Sequence, residues 1–159
     1  MEESIVCGGK EEDRKAGEGF SFLLEDAFHL KKRDFSQYSP LTLAYVGDAV
    51  YELVIRTVLA KRGNTQTAKL HQKATNLVRA GAQAKLIQAL LPRLEEAELA
   101  VYRRGHNAKP YNTAKNASRR EYLEATGFEA LMGYLYLREE YQRMIDLISL
   151  GLEESGYEL

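Results

Sequence analysis

The sequence has 159 residues and a mass of 18.0 kDa, with 45% apolar residues, 28% charged residues and a net charge of −1. This size and composition fit one globular domain with its own core and argue against two domains. No run approaches the 18 or more apolar residues of a membrane span, and the acid-rich N-terminus lacks the apolar region of a secretory signal, so we expect a cytoplasmic protein with no membrane partner. The single cysteine excludes an internal disulfide. One cysteine and three histidines also argue against a zinc site. Any bound metal would therefore need oxygen ligands.

Helical spacing dominates the sequence and no segment alternates as a strand does, so we predict an all-α fold. Residues 1–19 contain few sizeable apolar side chains and are expected to be disordered. Residues 1–35 as a whole are predicted to form an N-terminal extension to a single domain over residues 36–159. The predicted helices follow in chain order: residues 20–30, 40–62, 67–76, 79–91, 92–104, 118–137 and 139–154. Residues 105–117 are rich in glycine, proline and asparagine and are predicted to form a loop.

The helix over residues 40–62 begins at a Ser-Pro pair and ends at a glycine. Its middle is apolar or small except for Asp48 and Glu52. Arg56 lies one turn after Glu52 and can pair with it, whereas it lies two turns from Asp48. Because a helix that is apolar nearly all round is usually buried, we expect Asp48 to be shut away from water. A buried carboxylate needs a partner from elsewhere in the fold or a bound cation.

The helix over residues 118–137 ends with thirteen residues in which Glu129 is the only charge. Small residues lie near both acids: Gly47 precedes Asp48, and Gly133 lies one turn after Glu129. They leave room for close helix packing or for a hydrated ion. Two such carboxylates suggest a Mg²⁺ site lined with oxygen atoms. The alternative is structural, with each acid bonded to a tyrosine hydroxyl or to a helix N-terminus in the core.

Charge is unevenly distributed along the chain. Residues 56–120 carry 14 Lys and Arg against 3 Asp and Glu, whereas both flanking segments are acidic. A basic middle third favours a polyanionic partner such as nucleic acid, and the near-zero net charge of the whole chain hides it. The alternative is a charged surface that only contacts solvent.

Two segments carry a resemblance to a known family. The run LAYVGDAVYEL over residues 43–53 resembles the signature helix of the ribonuclease III family, and FEALMGYLYL over residues 128–137 resembles its second acidic motif. Both occur in order, about 80 residues apart, with RRGHNAK over residues 103–109 between them. Within the family the chain is most similar to the Mini-III branch, which lacks a double-stranded-RNA-binding domain, and a chain of this length is expected to share that lack.

The resemblance implies the all-α endonuclease domain of the family and a homodimer formed through the signature helices. It also implies Mg²⁺-dependent hydrolysis of double-stranded RNA, leaving 5′-phosphate and 3′-hydroxyl ends. Asp48 matches the catalytic aspartate and Glu129 the metal-binding glutamate, so both are expected to be catalytic and to hold the metal. Ala44 and Thr126 occupy the places of two further family acids, and the Mini-III branch shares this reduced set. The branch implies a precursor of 23S ribosomal RNA as substrate, and a ribosomal protein or pre-ribosomal particle as a candidate partner.

Proteins read duplex RNA mainly through its phosphates and 2′-hydroxyls, so basic and polar side chains of the middle helices and the loop are the expected contacts. They are Lys73, Arg79, Lys85, Arg104, His106, Asn107, Lys109 and Lys115. Two other functions stay open: a catalytically silent RNA-binding or ribosome-assembly relative, and a helical protein-interaction module. The presence of both Asp48 and Glu129 favours the enzyme over the silent relative. A steep salt dependence of RNA affinity would exclude the interaction module.

Overall fold

The structure is a computed structural model that describes residues 19–108 and 118–159. The predicted all-α fold is confirmed, because this part of the chain contains helices and no strand. The helices are α1 (Phe20–Phe28), α2 (Pro40–Arg62), α3 (Thr67–Val78), α4 (Ala80–Leu90), α5 (Glu96–His106), α6 (Arg119–Leu137) and α7 (Tyr141–Glu154). Within the described residues, none of them has the length and apolar character that crossing a bilayer requires.

The described part of the chain divides after Arg33 into two compact units. The first contains α1, which buries none of its residues. The second begins at Asp34, ends at Leu159 and contains the other helices. The predicted disorder of residues 1–19 falls, apart from Gly19, outside the described residues, as does most of the loop predicted over residues 105–117.

α6 is the central helix of the second unit and packs against α2, α4 and α5. Residues 124–128 and 130–135 are all buried, so only Glu129 interrupts an otherwise enclosed stretch. Burial on every side explains why the sequence of this helix has no polar face. The core around it includes Tyr51 and Phe128, whose rings meet edge to face with 5.1 Å between their centroids.

The start of α5 differs from the prediction. Leu91–Arg93 form a separate 3₁₀ turn, and the α-helix begins at Glu96 because Glu95 and Glu98 form a capping box there. Glu98 is buried and also accepts hydrogen bonds of 2.9 and 2.8 Å from the guanidinium of Arg143 on α7. One glutamate therefore caps α5 and links it to α7.

The end of α5 also differs, because the helix continues through Gly105 to His106 instead of stopping at the glycine. A Cβ atom on Gly105 would lie 2.8 Å from the Cβ of Ala130 and 2.9 Å from the Cα of Gly127, both on α6. The glycine at this position therefore permits a close approach of two helices and does not end one.

Candidate active site

The close crossing of α2 and α6 brings the two acidic motifs together. A Cβ atom on Gly47 would lie 1.7 Å from the carbonyl oxygen of Glu129, and one on Gly133 would lie 1.9 Å from the carbonyl oxygen of Leu43. Real Cβ atoms essentially never lie within 3.0 Å of a non-bonded heavy atom. Glycine at both positions therefore lets the two backbones touch. Asp48 follows the first glycine, and its carboxylate lies close enough to act electrostatically on Glu129.

Glu129 is half-buried at this crossing. Burial, and after it the negative charge of Asp48, raise the pKa of its carboxyl to about 8, against a smaller opposing effect of the Gln83 side chain. In the absence of a cation, Glu129 therefore keeps its proton at neutral pH.

The prediction that Asp48 is shut away from water is wrong for the single chain, because the residue is exposed. Only one side of α2 packs within the unit, and the other side leaves Tyr45 and Leu53 in solvent. Partial desolvation still raises the pKa of Asp48, and the charge of Glu52 acts in the same direction. Glu52 accepts a 2.6 Å hydrogen bond from Arg56, as predicted. Asp48 has no hydrogen-bond or ion-pair partner among the described residues.

Neither structural role considered for the two acids occurs in the described part of the chain. Both lie in helix interiors and not at N-termini. Tyr51, three residues after Asp48, donates its hydroxyl to the carbonyl of Leu77 at 2.7 Å and not to an acid. The charge of Asp48 acts on Glu129, and neither carboxylate forms an ion pair with a basic residue in the described part of the chain.

This donor set fits a hard divalent cation such as Mg²⁺, which prefers oxygen ligands. The described residues contain no cluster of three or more His, Cys, Asp or Glu side chains suited to a metal. A bound Mg²⁺ would therefore take one or two carboxylates and complete its coordination with water, as this ion commonly does. Ala44 and Thr126, at the places of the two further family acids, are buried and add no charge. The hydroxyl of Thr126 donates to the carbonyl of Tyr122.

We expect the metal-free protein to lose stability as the pH rises from about 5 to about 8. Glutamate in an unfolded chain ionises near its ordinary pKa of 4.5, whereas folded Glu129 keeps its proton until about pH 8. The folded state then binds more protons than the unfolded state, so the free energy of unfolding falls with rising pH. Urea unfolding in EDTA at several pH values measures this slope. Glu129→Gln should flatten it, and an unchanged slope in that variant would contradict the assignment.

The predicted RNA-binding residues on the middle helices are all exposed. Lys73 on α3 and Arg79 at the α3–α4 junction are exposed. Lys85 is also exposed, but its ammonium lies 5.5 Å from the centre of the Tyr157 ring. Lys85 follows Gln83 by two residues, which is a rotation of roughly 200° about the helix axis. It therefore lies on the exposed side of α4, whereas Gln83 lies on the buried side.

A second group of predicted contacts lies at the end of α5. Arg104 donates its two terminal guanidinium nitrogens to the carbonyls of Ser36 and Tyr38, at 2.7 and 2.6 Å. This side chain therefore fastens the segment before α2 to α5, a role that the sequence did not reveal. His106 is half-buried, with its Nδ1 at 3.1 Å from the side-chain oxygen of Asn107, which is exposed.

Lys109 and Lys115 fall outside the described residues. One residue near the site, Gln83, was missed in the sequence, although it is buried on α4 and its side chain acts to lower the pKa of Glu129 against the effect of burial. A usable signal was present, because Gln83 is a polar residue at a core position of an apolar helical pattern. The buried positions of α4 are Ala82, Gln83, Ala84, Leu86, Ile87 and Leu90.

Comparison with known proteins places this site in a family. The ribonuclease III domain matches residues 41–140. The chain is 48% identical to the Mini-ribonuclease 3 of Enterococcus faecalis over 126 residues, which are 78% of this chain and 96% of that protein. It is 46% identical to the Mini-ribonuclease 3 of Clostridium tetani over 129 residues, covering 79% and 85% of the two chains. A crystal structure of a Fusobacterium nucleatum protein superposes with a TM-score of 0.69 at 28% identity, covering 77% of this chain and 98% of that one. The matched region contains both acids and the helix crossing, and the chain belongs to the ribonuclease III family, in its Mini-ribonuclease 3 branch.

Proposed function

We propose that this chain is a Mg²⁺-dependent endoribonuclease that cleaves double-stranded RNA, with Asp48 and Glu129 as its catalytic and metal-binding residues. Family membership makes it an endoribonuclease that acts on RNA. The observation that carries the finer proposal is a pair of carboxylates at the α2–α6 crossing without a neutralising basic residue among the described ones. We place this activity in the domain over residues 36–159.

Mg²⁺ bound between these residues would activate a water molecule, polarise the scissile phosphate and stabilise the leaving oxygen. Asp48 is exposed, so a phosphate of the RNA can reach its carboxylate. Asp48 and Glu129 would hold the ion, and its positive charge would favour the ionised form of the Glu129 carboxylate. Water forms a bond to phosphorus as the bond from phosphorus to the 3′ oxygen breaks, so one fragment of the cut strand carries a 5′-phosphate and the other a 3′-hydroxyl.

A cleavage assay tests the substrate and the metal separately. The full chain is incubated with duplex RNA, single-stranded RNA and duplex DNA of the same sequence, each with Mg²⁺ or with EDTA. We expect cleavage of duplex RNA only, and only with Mg²⁺. Cleavage of single-stranded RNA at the same rate would contradict the substrate, and cleavage in EDTA would contradict the metal. Binding of duplex RNA without any cleavage would identify a catalytically silent relative.

We also propose that α2 forms the interface of a homodimer. Tyr45 and Leu53 are 81% and 64% exposed, and they share one side of α2 with the exposed Ala49, because the three are spaced by four residues. A single chain leaves this apolar side in water, and a twofold contact would cover it. A dimer formed in this way would place two acid pairs along one RNA-binding surface.

Sedimentation tests the dimer. We expect the wild-type chain to sediment as a dimer and Leu53→Glu as a monomer, since an unpaired charge is costly in an apolar interface. Ile145→Glu is the matched control, because Ile145 is a 48% exposed apolar residue on α7 instead of α2. A wild-type monomer would contradict the dimer, and equal dissociation of the control would contradict its location.

For RNA binding we propose that the predicted basic and polar residues contact phosphates, beginning with Lys73 and Arg79. The side chains of these two form no hydrogen bond or ion pair with described residues. We expect Lys73→Ala to weaken duplex binding for all sequences and to reduce the slope of log affinity against log salt by about 1. Lys61→Ala, at the far end of α2, should leave the slope unchanged. An unchanged slope in Lys73→Ala would remove α3 from the interface.

The physiological substrate is the most specific part of the proposal. The relation to the Mini-ribonuclease 3 branch favours a precursor of 23S ribosomal RNA, a cytoplasmic location and a pre-ribosomal particle as partner. Comparing cleavage of a precursor transcript with cleavage of an unrelated RNA duplex of equal length tests this choice. Defined ends from the precursor and scattered ends from the unrelated duplex are the expected result.

A further inference from the structure

A groove lies between α2 and α7, which packs mainly against α4 and α6. It has a volume of about 370 Å³. Its lining is mostly apolar, because both helices contribute aliphatic side chains to it. These are Val54, Ile55, Val58, Ile145, Ile148 and Leu152. Tyr157 and Leu159, from the segment after α7, also line the groove.

The groove is accessible from solvent. Ile145 is 48% exposed, and Val54 and Val58 are half-buried, whereas Ile148 and Leu152 are buried. Apolar side chains that line a concave site at the surface are typical of a binding surface. The volume lies at the lower end of the range of roughly 300–1,000 Å³ for ligand pockets. The groove therefore has room for a few apolar side chains of a partner.

The surface of α7 beside the groove is acidic. Asp146 and Glu153 are exposed and share one side of the helix, because they are two turns apart. Neither forms an ion pair with a described residue, although Asp146 accepts a hydrogen bond from Gln142. Arg62 also lines the groove, but its guanidinium donates to the carbonyl of Leu159. The two carboxylates are thus the charged groups available to a partner.

This chemistry indicates what binds in the groove. Duplex RNA is disfavoured, because the acids repel its phosphates. A second copy of this chain is expected at Tyr45 and Leu53, which do not line the groove. A protein segment with apolar side chains along one side and positive charges beside them matches both the lining and the acids.

We propose that the groove between α2 and α7 binds a basic amphipathic segment of a partner protein, with lysine or arginine side chains against Asp146 and Glu153. The apolar groove supplies the affinity, and the opposite charges orient the segment. Proteins that accompany RNA are rich in lysine and arginine, so a protein bound to the RNA substrate has the required chemistry. The inference goes beyond the proposed function, because it needs neither the metal site nor cleavage.

NMR of the methyl groups of the full chain tests the location. The probe is a synthetic helical peptide of about four turns, with leucine along one side and lysine elsewhere. A second peptide has glutamate in place of every lysine. We expect the lysine peptide to shift the methyl signals of Val54, Val58 and Ile145 and to leave those of Leu53 unchanged. The glutamate peptide should shift none of them.

Substitutions at the groove test its charge and its apolar lining separately. Glu153→Lys should weaken binding of the lysine peptide about tenfold, because it replaces an attractive charge by a repulsive one. Glu139→Lys is the matched control, since Glu139 is exposed, forms no ion pair with a described residue and does not line the groove. Its affinity should stay within about twofold of wild type. Ile145→Ser should weaken binding about fivefold through lost apolar contact. Fluorescence anisotropy measures these affinities, and circular dichroism verifies folding.

Four results would each overturn the inference. They are no binding of the lysine peptide, equal binding of the glutamate peptide, shifts at Leu53 instead of the groove methyls, and shifts of the groove methyls on addition of duplex RNA. Dissociation of the dimer by Ile145→Glu would overturn it too, because a second copy would then fill the groove. None of these measurements uses Mg²⁺ or cleavage, so a failure here leaves the proposed catalytic site untouched.

Discussion

Asp48→Asn is expected to reduce cleavage of duplex RNA in Mg²⁺ about 10³-fold or more while the helical fold and RNA binding survive. The amide has the size of the carboxylate but lacks its charge, and only one other proposed metal-binding acid, Glu129, is present among the described residues. Metal-based stabilisation of a phosphodiester transition state amounts to several kcal/mol, and each 1.36 kcal/mol corresponds to tenfold in rate. Asp48 is exposed and has no bonded partner among the described residues, so its replacement does not disturb packing.

Glu52→Gln provides the control for this experiment. It removes the same charge from the same helix, one turn later, but Glu52 pairs with Arg56 and is not one of the two acids proposed to hold the metal. We expect its cleavage rate to stay within about threefold of wild type, as for surface substitutions generally. Single-turnover cleavage with saturating Mg²⁺ compares the two variants. Wild-type activity in Asp48→Asn would refute the site, and an equal loss in Glu52→Gln would show that charge in general, and not this pair, matters.

Gly133→Ala is expected to lower the free energy of unfolding by about 3 kcal/mol and to abolish cleavage in the fraction that folds. The added Cβ would lie 1.9 Å from the carbonyl oxygen of Leu43, and the Gly47 nitrogen lies 3.0 Å from the same point. These are backbone atoms, which cannot rotate aside as a side chain can. α2 must therefore move away from α6, which separates Asp48 from Glu129.

Gly63→Ala is the matched glycine substitution outside the crossing. Its Cβ would meet only a methyl carbon of Thr65, at 4.0 Å, and its φ of 174° is extended backbone that any residue adopts. We expect its stability to stay within about 1 kcal/mol of wild type. Urea unfolding and duplex cleavage are measured on both variants. Gly133→Ala with wild-type stability would contradict the close crossing.

Helix ends were predicted well where the residues next to the end in the sequence determine it. The bounds of α2, Pro40–Arg62, agree with the prediction because a proline favours the first helical position and Gly63 follows the last. The end of α5 was predicted wrongly because the role of Gly105 is set by contact with α6. A glycine that ends a helix and a glycine that admits a neighbouring helix look alike in the sequence.

The candidate site was predictable only in part. The family resemblance paired Asp48 with Glu129, although no local pattern states that residues so far apart in the chain meet. The exposure of Asp48 was predicted wrongly because an apolar helix pattern does not show whether the same chain or a second copy covers the helix. Arg104 was expected to bind phosphates, yet its bonds to two carbonyls depend on a fold that the sequence alone does not display.

The glycine contact between α2 and α6 has a mechanical consequence. At Gly47 and Gly133 no layer of deformable side chains separates the two main chains. The distance between the backbones that carry Asp48 and Glu129 is therefore set by main-chain atoms in direct contact, and a change of side-chain rotamer elsewhere in the core cannot adjust it.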